Sequence, residues 1–222
     1  MIISTSDFHL GHEMCRIKMI EDFLLEVAYK AETLILVGDV LDLWVKNIYT
    51  VLERNKRILE LLSELPHVIW IKGNHDCEME CFKPLLKRNI KIVREYVLEM
   101  NKKRILFTHG HDFDRELQSF FWLAKIGAWI IDYLGKFIRF NISENIYGKK
   151  NYQKILDEFK IQVLNKHGND YDIIVTGHTH VAFDDRTTNA RLINTGDWVE
   201  SDECMYVIFK ENEEPVIKTY TK

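Results

Sequence analysis

Ile173-Ile174-Val175-Thr176-Gly177-His178-Thr179-His180 runs four β-branched residues into a glycine and then two histidines one residue apart. A short apolar run without alternation suits a strand buried on both faces, and its polar tail stands where such a strand would end. The same pattern recurs earlier in the chain. Ile2 to Ser6 leads to Asp7-Phe8-His9, and Thr33 to Val37 to Gly38-Asp39. Val68 to Ile71 leads to Gly73-Asn74-His75-Asp76, and Arg104 to Thr108 to His109-Gly110-His111. Further strand-like runs lie at Arg191 to Asn194 and Met205 to Phe209.

Helical spacing fills several of the intervals. Ile17, Ile20, Phe23, Leu24 and Val27 mark one apolar stripe, and Val51, Ile58, Leu59, Leu61 and Leu62 a second. Strands alternating with helices predict a layered α/β domain. The late strands follow with short connections, through Gly196 and the Glu211-to-Pro215 turn, which predicts an antiparallel part of the sheet.

The 222 residues fit one large domain or a domain with an insertion. With 46% apolar and 29% charged residues the composition is that of a soluble globular protein. A net charge of −4 supplies no global basic field for nucleic acid, so none is expected as a partner. Cys15, Cys77, Cys81 and Cys204 form no CxxC pair, which favours reduced thiols and a cytoplasmic location. The start reads as a first strand rather than a signal peptide.

Residues 115–167 carry no strand signal. They include Leu117, Phe120, Phe121, Trp122, Leu123, Ile126, Trp129, Ile130, Ile131, Tyr133, Leu134, Phe137, Ile138 and Phe140, interrupted by Lys125, Asp132, Lys136 and Arg139. The charges argue against a membrane span. A second pattern at Ile155, Phe159, Val163 and Leu164 follows. The stretch reads as a helical insertion at about 115–167 within a single domain covering 1–222. It is either plain core or an apolar lid that touches the inner membrane face peripherally.

Each polar segment alone has a plainer reading as a turn or cap. Together they supply carboxylates, imidazoles and one carboxamide at strand carboxyl ends, where open α/β sheets gather ligands. Asp7 and His9, two residues apart, enter one crevice. Gly38 permits close backbone approach, and Asp39 is the candidate carboxylate to bridge two ions ~4 Å apart. Asn74 offers a neutral oxygen; His109, His178 and His180 complete the set. Mixed oxygen and nitrogen donors without thiolate suit Mn²⁺, Fe or Zn²⁺.

The order DxH, GD, GNH[D/E], H, GHxH, from Asp7 to His180, resembles the calcineurin-like metallophosphoesterases. The resemblance implies a four-layer α/β/β/α sandwich and two divalent metal ions, with Mn²⁺ favoured. It assigns Asp7, His9 and His180 to one metal, Asn74, His109 and His178 to the other, and Asp39 to both. It makes His75 the catalytic histidine, paired with Asp76. Narrower similarities run through Gly38-Asp39-Val40-Leu41-Asp42-Leu43-Trp44, His109-Gly110-His111-Asp112-Phe113-Asp114 and Asn194-Thr195-Gly196-Asp197-Trp198-Val199-Glu200-Ser201. These look like the UDP-2,3-diacylglucosamine hydrolase group, in whose lipid A enzymes an insertion between the fourth and fifth motifs covers acyl chains. The chain departs from the best-known enzymes of that branch at His75, where they carry Arg, and at His111, where the branch usually has Asp.

The implied activity is a metal-dependent phosphoesterase. A metal-bridging hydroxide would attack phosphorus directly, Asn74 and His75 would donate to the phosphoryl oxygens, and His75 would act as general acid with Asp76 favouring the imidazolium. The first substrate expectation is a lipid-linked pyrophosphate like UDP-2,3-diacylglucosamine. Alternatives are a nucleotide or cyclic-nucleotide phosphodiesterase and a non-catalytic scaffold on the same fold. His12, His111 and Arg16 are candidate substrate contacts, and Lys46 and Arg186 further anion candidates. Asp42 and Trp44 read as structural, Asp197 and Trp198 as shaping the strand end, and His67 and His167 as surface residues.

Overall fold

The computed structural model describes residues 1–44, 46–76, 88–113, 149–186, 189–199 and 203–221. Cys77, Cys81, Asp114, Glu200, Ser201 and the aromatic run from Leu117 to Phe140 lie outside the described residues, and with them most of the expected insertion.

Two sheets carry the molecule. The first has six strands in the order β11-β10-β1-β2-β3-β4, and the second five in the order β5-β6-β7-β9-β8. In the first, β1 (Ile2–Thr5), β2 (Thr33–Val37), β3 (Val68–Ile71) and β4 (Ile90–Val93) run parallel. The hairpin of β10 (Cys204–Phe209) and β11 (Val216–Tyr220) joins antiparallel on the β1 side. In the second, β6 (Lys103–Thr108), β7 (Ile173–Thr176) and β9 (Arg191–Asn194) are parallel. Antiparallel β5 (Glu95–Met100) and β8 (Phe183–Asp185) close its two edges.

The sheets face each other across one apolar layer in which Ile35, Val37, Ile71, Ile105, Phe107, Val175, Ile193 and Phe209 meet. On the outer face of the first sheet pack α1 (Ile17–Glu26), α2 (Ile48–Arg54) and α3 (Lys56–Glu64). Against the second packs α4 (Lys149–His167), through Phe159 and Val163. This is the expected mixed α/β arrangement of two sheets between helices. Central strands touched on both faces explain the apolar runs without alternation: β2, β3, β7 and β9 are buried almost throughout.

Several details depart from the sequence expectation. The stripe through Val51 and Leu62 is two helices, broken at Asn55, whose side chain bonds the Val51 carbonyl (2.8 Å). Ile17 is exposed at the start of α1 rather than part of its buried stripe. His167 is buried at the end of α4, its ring against Phe113 (5.7 Å). Four strands, β4, β5, β8 and β11, were not foreseen; each is at a sheet edge, where half the residues face water and the apolar signal is diluted.

No helix among the described residues is long and apolar enough to cross a membrane.

Candidate metal centre

All five polar segments follow strand carboxyl ends, and the backbone turns sharply there. Asp7, His9, Asp39, His178 and His180 all have positive φ, between 48° and 72°. For residues with a Cβ this left-handed conformation costs about 1–2 kcal/mol each and persists only where neighbours enforce it. The enforcement is visible. Beyond the ends of β1 and β2 the loops stay paired, Asp7 N–H on the Gly38 carbonyl (3.0 Å), His9 on Asp39 (2.9 Å) and Leu10 on Val40 (2.8 Å). Three glycines make the close approach possible. A Cβ on Gly38 would lie 2.2 Å from His109 Nδ1, on Gly73 2.0 Å from Asp39 Oδ1, and on Gly177 2.3 Å from Asp7 Oδ2.

Asp7 and Asp39 are fully enclosed. The backbone N–H of His178 donates to both Asp7 oxygens (3.2 and 3.1 Å), so the second sheet closes over the first at this point. His9 Nε2 lies 3.0 Å from His180 Nε2 and 3.7 Å from Asp7 Oδ1. His109 Nε2 lies 3.1 Å from Asp39 Oδ2 and 3.1 Å from Asn74 Oδ1. On the far side of that ring Nδ1 meets the Val37 carbonyl at 2.9 Å. A carbonyl can only accept, so Nδ1 carries a proton and Nε2 is the nitrogen that faces the site.

Two donor groups result. Asp7, His9 and His180 offer ligand atoms within 4.8 Å of one another, and Asp39, His109 and His178 do the same. His9 Nε2 is 3.9 Å from Asp39 Oδ2, so Asp39 stands between the two groups. A third group, His9, Asp42 and His75, shares His9 with the first.

The charge balance tests whether cations fit. Burial alone would raise the Asp7 and Asp39 carboxyls and lower the buried imidazoles. For Asp39 the burial is outweighed by His109 and His75, which hold it well below the ordinary range; for Asp7 it is outweighed by the bond from His9 and the charges of His109 and His180. Conversely, despite burial, His9 is raised to about 9 by Asp7, Asp39 and Asp42, and His109 to about 10, chiefly by Asp39. The protein builds a pocket of carboxylates that retains positive charge where its imidazoles would otherwise be neutral. Divalent ions, taking the place of those protons, fit this donor set.

The pairing of His75 with Asp76 is not what the chain builds. Asp76 is fully buried, and its carboxylate accepts from Leu41 N–H (2.9 Å), Gly73 N–H (3.0 Å) and Trp70 Nε1 (3.3 Å). It ties the loop after β3 to the loop after β2. Burial and the charge of Asp39 raise it to about 6. The carboxylate on His75 is that of Asp42, whose Oδ1 is 3.0 Å from Nδ1. Asp42 is held low, its burial outweighed by the bond and charge of His75. Asp42 and Trp44, read from sequence as structural, thus both touch His75, because the loop after β2 folds back along residues 73–76 (Leu43 N–H to His75 carbonyl, 3.2 Å). The spacing Asp39-x-x-Asp42 is the one trace of this in the sequence.

Asp197 reaches His180 Nδ1 (3.7 Å), and Trp198 is buried with Nε1 on Thr5 Oγ1 (2.9 Å) and its N–H on the Asp7 carbonyl (3.0 Å). Of the candidate substrate contacts, His111 stands beside His109 and His178, ring centroids 5.4 and 6.5 Å away. Its buried Nδ1 has no hydrogen-bond partner among the described residues, and burial and His109 lower the ring to about 4. His12 Nδ1 accepts the Met14 N–H (3.2 Å), and its charge is felt at Asp42. Arg16 precedes α1 with its N–H on the Trp198 carbonyl (3.2 Å). Lys46 bonds the Gly11 carbonyl and Glu13, and Arg186 bonds Asp184.

Comparisons with known proteins agree on the architecture. A family model described as calcineurin-like phosphoesterase matches residues 1–182. Among solved structures, an archaeal phosphodiesterase is 16% identical over 98% of this chain and 98% of its own, with a TM-score of 0.54. A Thermotoga maritima protein is 17% identical over 100% and 98%, with a TM-score of 0.53. A Vps29 single mutant from Entamoeba histolytica is 17% identical over 99% and 99%, with a TM-score of 0.46. At such identities the likeness to the first two is one of fold. No curated protein sequence matches the chain.

Proposed function

The chain belongs to the calcineurin-like phosphoesterase family, and from that premise we propose that it is a dinuclear metal-dependent phosphoesterase. The observation that carries the proposal is the convergence, at the carboxyl ends of strands from both sheets, of two adjacent Asp/His donor groups with Asp39 between them. Asp7, His9 and His180 would hold one divalent ion, Asn74, His109 and His178 the other, and Asp39 both. Bound there, the ions supply Lewis acidity and water activated near neutral pH.

The chain's own residues do the rest. Val37 orients His109, and Asp197 faces His180, in the manner of groups that aim metal-binding imidazoles. His75, on the rim with Asp42 at Nδ1, presents Nε2 toward the shared site, 4.0 Å from Asp39 Oδ2. There it serves as general acid for the departing oxygen, with Asp42 rather than Asp76 as the carboxylate that holds its Nδ1. Asn74 stands beside it as both a ligand and a contact for the phosphoryl group. His111, kept neutral and with a nitrogen that no described residue engages, is the best placed of the three substrate-contact candidates.

For substrate we propose a pyrophosphate like UDP-2,3-diacylglucosamine, on the sequence segments at Gly38–Trp44, His109–Asp114 and Asn194–Ser201, with Mn²⁺ as the metal. The aromatic run from Leu117 to Phe140 would then meet acyl chains, at a cytoplasmic location on the inner membrane face. The test is a panel with Mn²⁺, before and after chelation: the UDP-linked acylated sugar, dinucleotides, cyclic nucleotides and simple esters. Hydrolysis restored by Mn²⁺ supports the phosphoesterase reading, and preference for the acylated sugar supports the substrate. Preference for nucleotides would replace that substrate. No turnover together with no bound metal would overturn the enzyme reading in favour of a scaffold.

A further inference from the structure

We propose that Trp44 is a positioning residue for the catalytic imidazole, a role that rests on the phosphoesterase reading above. The indole lies flat on the His75 ring, with centroids 3.9 Å apart and planes inclined by 8°. It is itself fixed at two points. Trp44 Nε1 donates to the Asn74 carbonyl (2.9 Å), and Trp44 N–H donates to Asp42 Oδ1 (3.2 Å). That same Asp42 oxygen meets His75 Nδ1. Trp44, Asp42, Asn74 and His75 therefore close a ring of contacts around the imidazole.

The physical need for such a device follows from the geometry of His75. One hydrogen bond at Nδ1 fixes a point on the ring but leaves its plane free to swing about that bond. A general acid must hold Nε2 within hydrogen-bond reach of the leaving oxygen, and a displacement of about 1 Å can cost about a hundredfold in rate. The stacked indole removes the swing on one face, and the ring of His9 stands edge-on to His75 as well, 4.7 Å away at 86°. Core packing does not account for Trp44: Trp70 and Trp198 are fully buried in the apolar core, whereas Trp44 is half-buried at the rim. Its link to the Asn74 carbonyl further couples the acid to a proposed ligand, so both are set by one side chain.

The experiment compares the wild-type chain with Trp44→Leu, which removes stack and bond, and Trp44→Phe, which keeps a ring without the Nε1 donor. With Mn²⁺, turnover is measured on a nitrophenyl ester, which needs little protonation on departure, and on an alkyl ester, which needs much. Trp44→Leu is expected to lose about tenfold on the first and about a hundredfold on the second, with Trp44→Phe in between. In metal-free protein, NMR should show the His75 ring protons losing their upfield ring-current shift in Trp44→Leu and retaining part of it in Trp44→Phe. Equal losses on both esters, or unmoved His75 signals, would overturn the positioning role. A wild-type chain inactive on every ester would instead sink the phosphoesterase reading, while the NMR comparison still decides whether the indole holds the ring.

Discussion

The two sheets meet at the site with unlike chemistry. The loops after β1 and β2 bring Asp7, Asp39 and Asp42, the buried carboxylates, whereas the loops after β6 and β7 bring His109, His178 and His180. His9, Asn74 and His75 add to the first side and Asp197 to the second. Neither of the two groups flanking Asp39 is complete on one sheet: Asp7 and His9 need His180, and Asp39 needs His109 and His178. The contrast teaches that docking of the sheets and assembly of the site are one event. Asp39, buried by the first sheet, is made tolerable chiefly by His109 of the second, whereas His9 and His75 of the first sheet do the same for Asp7 and Asp42.

The sharpest way to break this balance is Asp39→Ala, which removes the carboxylate between the two groups. Turnover with Mn²⁺ should fall about a thousandfold, read in steady-state assays, while circular dichroism shows the fold retained. Next is Asp76→Ala, which cuts the tie between the two loops of the first sheet. It should lower stability by about 3 kcal/mol in urea unfolding yet leave the folded enzyme within severalfold of normal turnover. A loss of turnover without loss of stability would return Asp76 to the catalytic role.

A pH titration of the metal-free protein sharpens the same contrast. His9 and His109 are raised in the folded state, to about 9 and about 10. Their contribution is full below the unfolded value of about 6.5 and is lost as pH rises through the folded values. Stability should therefore fall between roughly pH 6.5 and 10. Protein with Mn²⁺ should show the opposite trend, since ligands must be deprotonated to bind. Parallel curves would argue against ions at these histidines.

Asp42→Ala leaves the buried tie intact and removes the carboxylate shared by His75 Nδ1 and the Trp44 N–H, so kcat should drop about tenfold with stability little changed. The smallest effect belongs to His167, whose buried ring is lowered by desolvation. A lowered histidine contributes stability above about pH 6.5 that is lost as pH falls. His167→Phe should flatten the stability profile of the wild type below that pH.

Much of this was legible in sequence for reasons that can be named. Doubly buried strands leave uninterrupted apolar runs, so Thr33–Val37, Val68–Ile71, Ile173–Thr176 and Arg191–Asn194 could be bounded to the residue. Edge strands such as Phe183–Asp185 leave no such trace. The polar segments were legible because they follow the strands at once, and sheet geometry sends every such end to the same side. Proximity in sequence misled at Asp76. It adjoins His75, but the turn after Gly73 points its carboxylate back onto its own loop, and the partner comes from Asp42, in another loop.

Sequence by itself determined the donor types, their order and their placement at strand ends, because local patterning dictates where a buried strand stops. Tertiary structure alone decided the pairings: His180 with His9, His109 with Asp39, Asp42 with His75, and Trp44 across its face. Those contacts join residues 31 to 171 positions apart in the chain. Only the docking of two sheets and the folding back of one loop bring them within reach. No local rule of spacing encodes a distance of that kind.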